Sequence, residues 1–263
     1  MEAVALDGDV VAHRLRGRGV VAGPDGGDDR VVPGPAPVLA HNEDGLPFFR
    51  GTCFIAEVAP QGAPPFRGFC YPGSIPGHTF AWTDAGLVQT VNNIRLTGIA
   101  PEVPRMAIGR ALLARETLAA AEGFLREAPP SGGFHFALSH RDDRRILSVE
   151  FGDGEKSIRT IAAPALHANH ALHHAGGLAV QIVTRSSGDR QARGDALVAE
   201  GSAPLAILRD TDGPGLPIRR DAPDDPDDEN TLATALFRIE DRGIEWRVHD
   251  DAAGAAAYAG TTT

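Results

Sequence analysis

The chain has 263 residues, of which 42% are hydrophobic and 23% are charged. This composition is typical of a globular protein that buries a substantial core. The formal net charge of −10 creates a field that repels phosphate backbones, so a nucleic-acid partner is not expected.

No apolar run approaches the ~20 residues that cross a bilayer. The N-terminus also lacks the basic region, apolar core and cleavage site of a signal peptide. We therefore expect a cytoplasmic protein without a membrane partner. Its two cysteines, Cys53 and Cys70, form no CxxC pair. A reducing compartment is the simplest interpretation, and a single disulfide stays open.

Short runs rich in β-branched and aromatic residues predict strands along most of the chain. The predicted strands cover 3–6, 10–12, 37–41, 52–58, 134–138, 146–151, 157–161, 165–169, 231–239 and 243–248, with hairpin-like strands within 66–82 and 86–94. The Gly- and Asp-rich stretch 17–29 predicts an exposed loop. The acidic run 221–229 predicts a solvated loop, and residues 252–263 form a tail that is expected to fray.

Apolar residues at helical spacing predict one helix over 105–127, which begins after Pro104 and ends before a Pro-Pro pair. Shorter helices are predicted over 190–200 and 205–209. Many strands with helices inserted as blocks indicate an α+β fold with antiparallel sheets. No composition shift marks a boundary, so we expect residues 1–263 to form a single domain.

The stretch HNEDG (41–45) places an imidazole, an amide and two carboxylates where a predicted strand gives way to a loop. Such a place favours chemistry because the scaffold positions the loop. The alternative is an Asx-type turn with a solvated acidic tip.

Several fragments, in this order, resemble the C45 peptidase and acyl-CoA:6-aminopenicillanate acyltransferase-like family of N-terminal-nucleophile (Ntn) hydrolases. The matching fragments are AHNEDG (40–45), YPGSIPG (71–77), GLVQTVNNI (86–94), VPR (103–105), SVE (148–150) and LHANH (166–170), with shorter matches at SSGDR (186–190), PIRR (217–220) and TLATALF (231–237). The resemblance implies a four-layer αββα sandwich with two antiparallel sheets.

In such enzymes the first residue of the catalytic chain, a Cys, is both nucleophile and base. The resemblance implies that Asp44 orients its terminal amine and that Asn169 donates to the tetrahedral oxyanion. Arg220 would be the active-site arginine, with its neighbour Arg219 as the alternative. The implied reaction uses a small amide or thioester acyl donor and a small-molecule acceptor, in secondary metabolism.

The Cys that the resemblance requires at the head of the first strand is missing from the sequence. Met1 stands at the position expected for the nucleophile, and Glu2 follows it. Cys53 comes after the Asn-Glu-Asp motif and Cys70 lies in another strand segment. Both are expected to be buried apolar side chains.

Three explanations stay open. The chain is a truncated or engineered form, or it is a divergent member that lost the nucleophile, or the resemblance misleads. A divergent member would bind a small acyl or peptide-like ligand or use non-covalent acid–base chemistry. Its candidate groups for that chemistry are Glu2, His41, Glu43, Asp44 and His170.

The substrate-binding candidates are side chains placed near these fragments: His41, Asn42, Tyr71, Trp82, Asn92, Asn93 and His170. Core packing is the alternative for Tyr71 and Trp82, and a strand-end turn is the alternative for the asparagines. The histidine-rich run 167–174 resembles a metal cluster, but no Cys or carboxylate ligand is placed by spacing. We therefore expect no metal and no cofactor, and homo-oligomer formation stays open.

Overall fold

The computed structural model describes residues 3–6, 10–14, 26–152, 154–222 and 225–263. These described residues form fifteen β-strands, five α-helices and a short 3₁₀ helix at Pro47–Phe49. All of the strands belong to two antiparallel sheets. None of the helices in the described ranges is long and apolar enough to cross a membrane.

The larger sheet has nine strands within the described residues. In spatial order these are β1 (Ala3–Leu6), β2 (Val10–Arg14), β5 (Phe54–Val58), β6 (Phe66–Cys70), β7 (Ala81–Thr83), β8 (Leu87–Asn93), β9 (Phe134–His140), β10 (Asp143–Gly152) and β11 (Glu155–Thr160). Most neighbours in this sheet are consecutive in the chain, as expected for antiparallel hairpins.

The smaller sheet has six strands within the same ranges. In spatial order these are β12 (Ala165–His167), β3 (Gly26–Val32), β4 (Val38–Gly45), β13 (Asn230–Glu240), β14 (Gly243–His249) and β15 (Tyr258–Thr262). The strand that carries the HNEDG motif, β4, therefore lies in the middle of the sheet, between β3 and β13.

Helices cover the outer face of each sheet. Among the described residues they are α1 (Arg105–Leu112), α2 (Leu118–Glu127), α3 (Ala175–Val180), α4 (Arg185–Ala199) and α5 (Pro204–Leu208). Leucines of α1 and α2 pack on β8 and β9, whereas α4 and α5 pack on β4 and β12. A third apolar core fills the space between the sheets. This arrangement confirms the predicted four-layer αββα sandwich.

Two predicted boundaries are wrong for identifiable reasons. The stretch 17–29 was expected to be a loop, but its last four residues belong to β3, where Asp28 and Asp29 are buried. Each of these charges has a partner from a distant segment, which local sequence cannot reveal. The single helix predicted over 105–127 is two helices, because Thr117 accepts a hydrogen bond from the Ala120 backbone N–H and starts α2 anew.

The tail and the acidic run are also more ordered than predicted. Residues 258–262 form β15, which pairs with β14, so this part of the chain does not fray. Asp225 and Glu229 belong to the run expected to be solvated, but both side chains are buried against Arg220. Helix α3 had no counterpart in the sequence prediction.

The cap on α2 can be tested directly. Thr117→Ala removes the acceptor for the Ala120 N–H, and we expect the free energy of unfolding to fall by about 1 kcal/mol. Thr160→Ala is the matched control, because Thr160 is exposed at the end of β11. Urea denaturation of the two variants should differ by that amount; equal midpoints would show that the cap does not stabilise the fold.

Candidate functional site

Asp44 lies at the end of β4, where that strand pairs with two neighbours. Gly26, the first residue of β3, is opposite Asp44 on one side, and Thr231 of β13 is opposite it on the other. The Thr231 hydroxyl donates to Asp44 Oδ1 at 2.7 Å. Asp44 Oδ2 is buried and has no hydrogen-bond partner within the described residues. A buried carboxylate oxygen in this state is a strong acceptor for an N–H group.

Arg220 is joined to Asp44 through Thr231, whose Oγ1 accepts a hydrogen bond from the Arg220 backbone N–H at 3.0 Å. Burial lowers the pKa of the guanidinium, but the charge of Asp44 and the hydrogen bond to Asp225 outweigh burial and raise it. Arg220 is therefore a permanent cation beside Asp44. Its guanidinium donates to the carboxylates of Asp225, Asp227 and Glu229.

Arg219 points into a different cavity, of about 380 Å³, which it lines together with Arg50 and Cys53. Its Nε and Nη1 atoms have no hydrogen-bond partner in the described part of the chain. Of the two arginines that the sequence offered, Arg220 is the one tied to Asp44 through Thr231.

Asn169 links three segments that meet beside the start of β3. Its Oδ1 accepts hydrogen bonds from the Gly27 backbone N–H at 3.2 Å and from Arg190 Nη2 at 2.7 Å. Its Nδ2 donates to the Asn93 carbonyl oxygen at 3.2 Å. The amide nitrogen carries two N–H bonds, so within the described residues one of them stays available for another acceptor.

Arg190 of α4 is a member of this site that the sequence prediction missed. The residue is buried, and its Nη1 donates to Asp28 Oδ1 at 2.5 Å and to the Gly27 carbonyl oxygen at 3.3 Å. Burial lowers its pKa, but the charges of Asp28 and Asp44 outweigh burial and raise it. Arg190 lies in the fragment SSGDR (186–190), which the sequence analysis noted, but its partner Asp28 was expected to lie in an exposed loop.

We call Asp28, Asp44, Asn169, Arg190 and Arg220 the strand-head cluster.

His41 is a buried cation rather than an open binding group. Its Nδ1 is 3.0 Å from Asp29 Oδ1, and its Nε2 is 3.0 Å from Glu43 Oε2. Burial lowers the pKa of His41, but the hydrogen bonds to Asp29 and Glu43 outweigh burial and raise it to about 10. At neutral pH the imidazolium therefore donates through both ring nitrogens.

Asn42 is also fully buried, on the opposite face of β4. Its Nδ2 donates to the Leu208 carbonyl oxygen at 2.8 Å, and its Oδ1 accepts from the Thr234 hydroxyl at 2.6 Å. The sequence predicted substrate-binding roles for His41 and Asn42. The structure instead places both inside the protein, where they join β4 to its neighbours.

The neighbouring residues Asn92 and Asn93 have different surroundings. Asn92 is buried and donates to the His167 carbonyl oxygen at 2.8 Å, which fixes the segment leading to Asn169. Asn93 lines a cleft of about 560 Å³ that includes Arg95 and Arg105. A volume of that order falls in the range of roughly 300–1,000 Å³ used by small-molecule sites.

Three other predicted binding residues have partners within the protein. Tyr71 and Trp82 are packed between the sheets, against Phe49 and Phe237 respectively. Tyr71 and Trp82 are therefore core residues, which is the alternative that the sequence left open. His170 is half-buried, and its Nδ1 is 2.7 Å from the Ser187 hydroxyl at the start of α4.

Met1 and Glu2 lie outside the described residues. The strand that follows them, β1, is at the edge of the nine-stranded sheet, whereas Asp44 belongs to the six-stranded sheet. The strand paired with Asp44 begins at Gly26. The role predicted for Met1 therefore stays a prediction.

The two thiols are buried and not joined in a disulfide. Burial raises the pKa of the Cys53 thiol and of the Cys70 thiol to about 12. A thiol with so high a pKa holds almost no thiolate at neutral pH, and the thiolate is the nucleophilic form.

A family model described as acyl-coenzyme A:6-aminopenicillanic acid acyl-transferase matches residues 32–253. The chain belongs to this family. The match contains Asp44, Asn169, Arg190 and Arg220, and it leaves out the start of β3. No curated protein matches the chain.

Two solved structures resemble this member of the acyltransferase family. An ortholog of N-acylethanolamine-hydrolyzing acid amidase from Caenorhabditis elegans has a TM-score of 0.55 at 8% identity and covers 80% of this chain and 92% of its own. Penicillin V acylase from Agrobacterium tumefaciens has a TM-score of 0.42 at 16% identity and covers 96% of this chain and 80% of its own. At 8% identity the first likeness establishes the fold alone.

The charge on His41 predicts a pH dependence of stability. A pKa raised from 6.5 to about 10 in the folded state means that the unfolded chain loses this proton first, so stability is full below pH ~6.5 and declines as pH rises toward 10. In the wild type the free energy of unfolding should therefore fall with rising pH, at a slope that approaches about 1.4 kcal/mol per pH unit. We expect His41→Gln to remove this fall.

Urea denaturation between pH 6.5 and 8 checks this expectation, because unfolded thiols ionise mainly above that range. His170→Gln is the control, since burial lowers the pKa of His170 and its proton is already lost there. Identical pH slopes for wild type and His41→Gln would show that His41 is not charged in the folded protein.

Proposed function

We propose that this chain acts on a small acyl compound, an amide or a thioester, and passes the acyl group to water or to a small acceptor. The observation that carries the proposal is the family match over 32–253, since the family is described by an acyl transfer from acyl-coenzyme A. We further propose that residues 1–263 work as one domain, in the cytoplasm and in a biosynthetic pathway.

We also propose that no thiol at the start of β3 takes part. Gly26 and Gly27 stand there, and the sequence has no Cys, Ser or Thr before Thr52. A Cβ atom added to Gly27 would lie 2.4 Å from the Asn42 carbonyl oxygen, a distance that forces the backbone to move. The acyl group must therefore be attacked by another group of this chain or by water.

The strand-head cluster is the proposed binding site for the polar part of the acyl compound. Asp44 Oδ2 would accept from an amine or amide N–H of the ligand, and the second N–H of Asn169 would donate to its carbonyl oxygen. The positive charge of Arg220 balances the negative charge of Asp44. The cleft next to Asn93, with Arg95 and Arg105 on its wall, would hold the rest of the molecule.

The first test of this proposal asks whether turnover persists when both thiols are removed. Cleavage of a series of acyl-coenzyme A thioesters, from acetyl to decanoyl, is measured by release of free coenzyme A, and simple N-acyl amides are followed by mass spectrometry. We expect the Cys53→Ala/Cys70→Ala double variant to keep turnover within about threefold of wild type, since neither buried thiol holds thiolate. Loss of turnover in that variant, with the fold intact by circular dichroism, would overturn the thiol-independent part.

A second candidate is a protein that binds the acyl compound without turning it over. The observation in its favour is that Gly26 and Gly27 at the start of β3 offer no side chain that could attack a carbonyl carbon. In this case the same compounds would raise the melting temperature of the chain while no product forms. Asn169→Ala should remove that shift, whereas product formation by wild type would reject the binding-only candidate.

A further inference from the structure

A serine, a histidine and an aspartate form a connected set between the two sheets. Ser148 on β10 has its Oγ 2.8 Å from His135 Nε2. His135 on β9 has its Nδ1 3.0 Å from Asp29 Oδ2 on β3. All three side chains are buried or nearly so. Nucleophile, base and orienting carboxylate are thus in hydrogen-bond reach in the order that nucleophilic catalysis by serine requires.

The protons of this set can be assigned from its partners. Burial raises the pKa of Asp29, but hydrogen bonds to His135 and His41 outweigh burial and hold the pKa well below its usual value. The ionised carboxylate therefore accepts an N–H from His135 Nδ1, which leaves Nε2 as an acceptor. The Ser148 hydroxyl then donates to His135 Nε2, as a nucleophile donates to its base.

His135 is kept neutral by its surroundings. Burial, followed by the charge of the neighbouring His167, lowers the pKa of His135 to about 4. The two rings are stacked, with centroids 3.7 Å apart. A neutral imidazole at physiological pH is able to take the proton of Ser148, whereas an imidazolium is not.

A second histidine approaches Ser148 from the other side. His173 Nε2 is 2.9 Å from Ser148 Oγ, and because the hydroxyl proton points to His135, His173 donates here. The buried carboxylate of Glu150 accepts from the backbone N–H groups of Leu172, His173 and His174. Glu150 is therefore a positioning residue, because it holds the loop that brings His173 over Ser148.

The set borders a cavity of about 70 Å³ between the sheets. Its polar wall consists of Asp29, His135, Ser148, His167 and His173. The rest of the wall is apolar, and Leu172, which is 40% exposed, lies at its solvent side. The volume is well below the roughly 300 Å³ of a typical drug-sized site, so the cavity suits a short apolar acyl group.

We propose that Ser148 is a catalytic nucleophile, activated by His135 and Asp29, that hydrolyses esters, thioesters or amides of short acyl groups. The choice of acyl substrates rests on the proposed function, whereas the assignment of the nucleophile rests on the geometry alone. This region adjoins the strand-head cluster, because Asp29 directly follows Asp28 of that cluster on β3.

In the first step Ser148 Oγ forms a bond to the carbonyl carbon and its proton moves to His135 Nε2. The carbonyl oxygen becomes an oxyanion, and the His173 N–H is a donor on the cavity wall that can stabilise it. When the oxyanion collapses, the bond to the leaving group breaks and His135 gives its proton to that group. Water then attacks the acyl-serine, gives a proton to His135, and releases the acid while Ser148 regains its proton.

The test is a fluorophosphonate probe on the full-length chain, followed by intact-mass measurement and peptide mapping. The probe phosphorus bonds to an activated serine and fluoride leaves. We expect one adduct, on Ser148, and none in the urea-unfolded chain, since only the folded geometry activates the hydroxyl. Mapping of the wild-type protein needs no variant, so it tests the proposal even if substitutions here disturb folding.

Variants then separate activation from packing. Ser148→Ala should abolish labelling, whereas Ser139→Ala should not, because Ser139 is a buried serine of β9 without a hydrogen-bond partner in the described residues. Asp29→Asn should lower kcat for p-nitrophenyl acetate about 100-fold or more while KM changes less than about threefold. Loss of packing alone would not lower kcat while leaving KM nearly unchanged.

Turnover is measured with p-nitrophenyl acetate, butyrate and decanoate, and the decanoate ester should be at least about 10-fold slower because the cavity is small. Labelling elsewhere than Ser148, or turnover that survives in Ser148→Ala, would overturn the assignment while leaving the proposed acyl function in place. Labelling of Ser148 without turnover of any acyl compound would support the activated serine and reject the proposed function. Neither labelling nor turnover would reject both.

Discussion

The fold depends on a buried carboxylate that joins its two sheets. Asp29 of β3 accepts hydrogen bonds from His41 in its own sheet and from His135 in the opposite sheet. Burial of an unpaired charge costs several kcal/mol, so the register of β3 that brings these partners together is strongly favoured over any shifted one. A shift by one residue would turn Asp29 toward the helices and leave both histidines without their acceptor.

The next residue toward the start of β3 ties the same strand to the helical layer. Because successive side chains in a strand face opposite sides, Asp28 points away from the core and pairs with Arg190 of α4. Arg190 also binds Asn169, which holds the backbone of Gly27. Two consecutive carboxylates thus fix the start of β3 from both faces, and Asp44 lies beside it.

The chain has the fold of the family but no nucleophilic side chain at the start of β3. The start of β3 has no side chain that could attack a carbonyl, although the groups around it match a family of acyl-transferring enzymes. Three residues after Gly26 on the same strand, Asp29 is hydrogen-bonded to His135, which is hydrogen-bonded to Ser148. Function is a property of such sites rather than of the fold, so the two regions have to be tested separately.

The sequence by itself determined the alternation of strands and helical blocks and the family resemblance, because apolar periodicity and motif order are local signals. That resemblance implied site roles for Asp44, Asn169 and Arg220. It could not reveal that residues 26–29 form a buried strand, that Arg190 pairs with Asp28, or that Tyr71 and Trp82 lie in the core. Nor could it bring Ser148, His135 and Asp29 together. Only the tertiary structure decided these points, since most of them depend on a partner over a hundred residues away or in the opposite sheet, where charge pairing and burial outweigh local propensity.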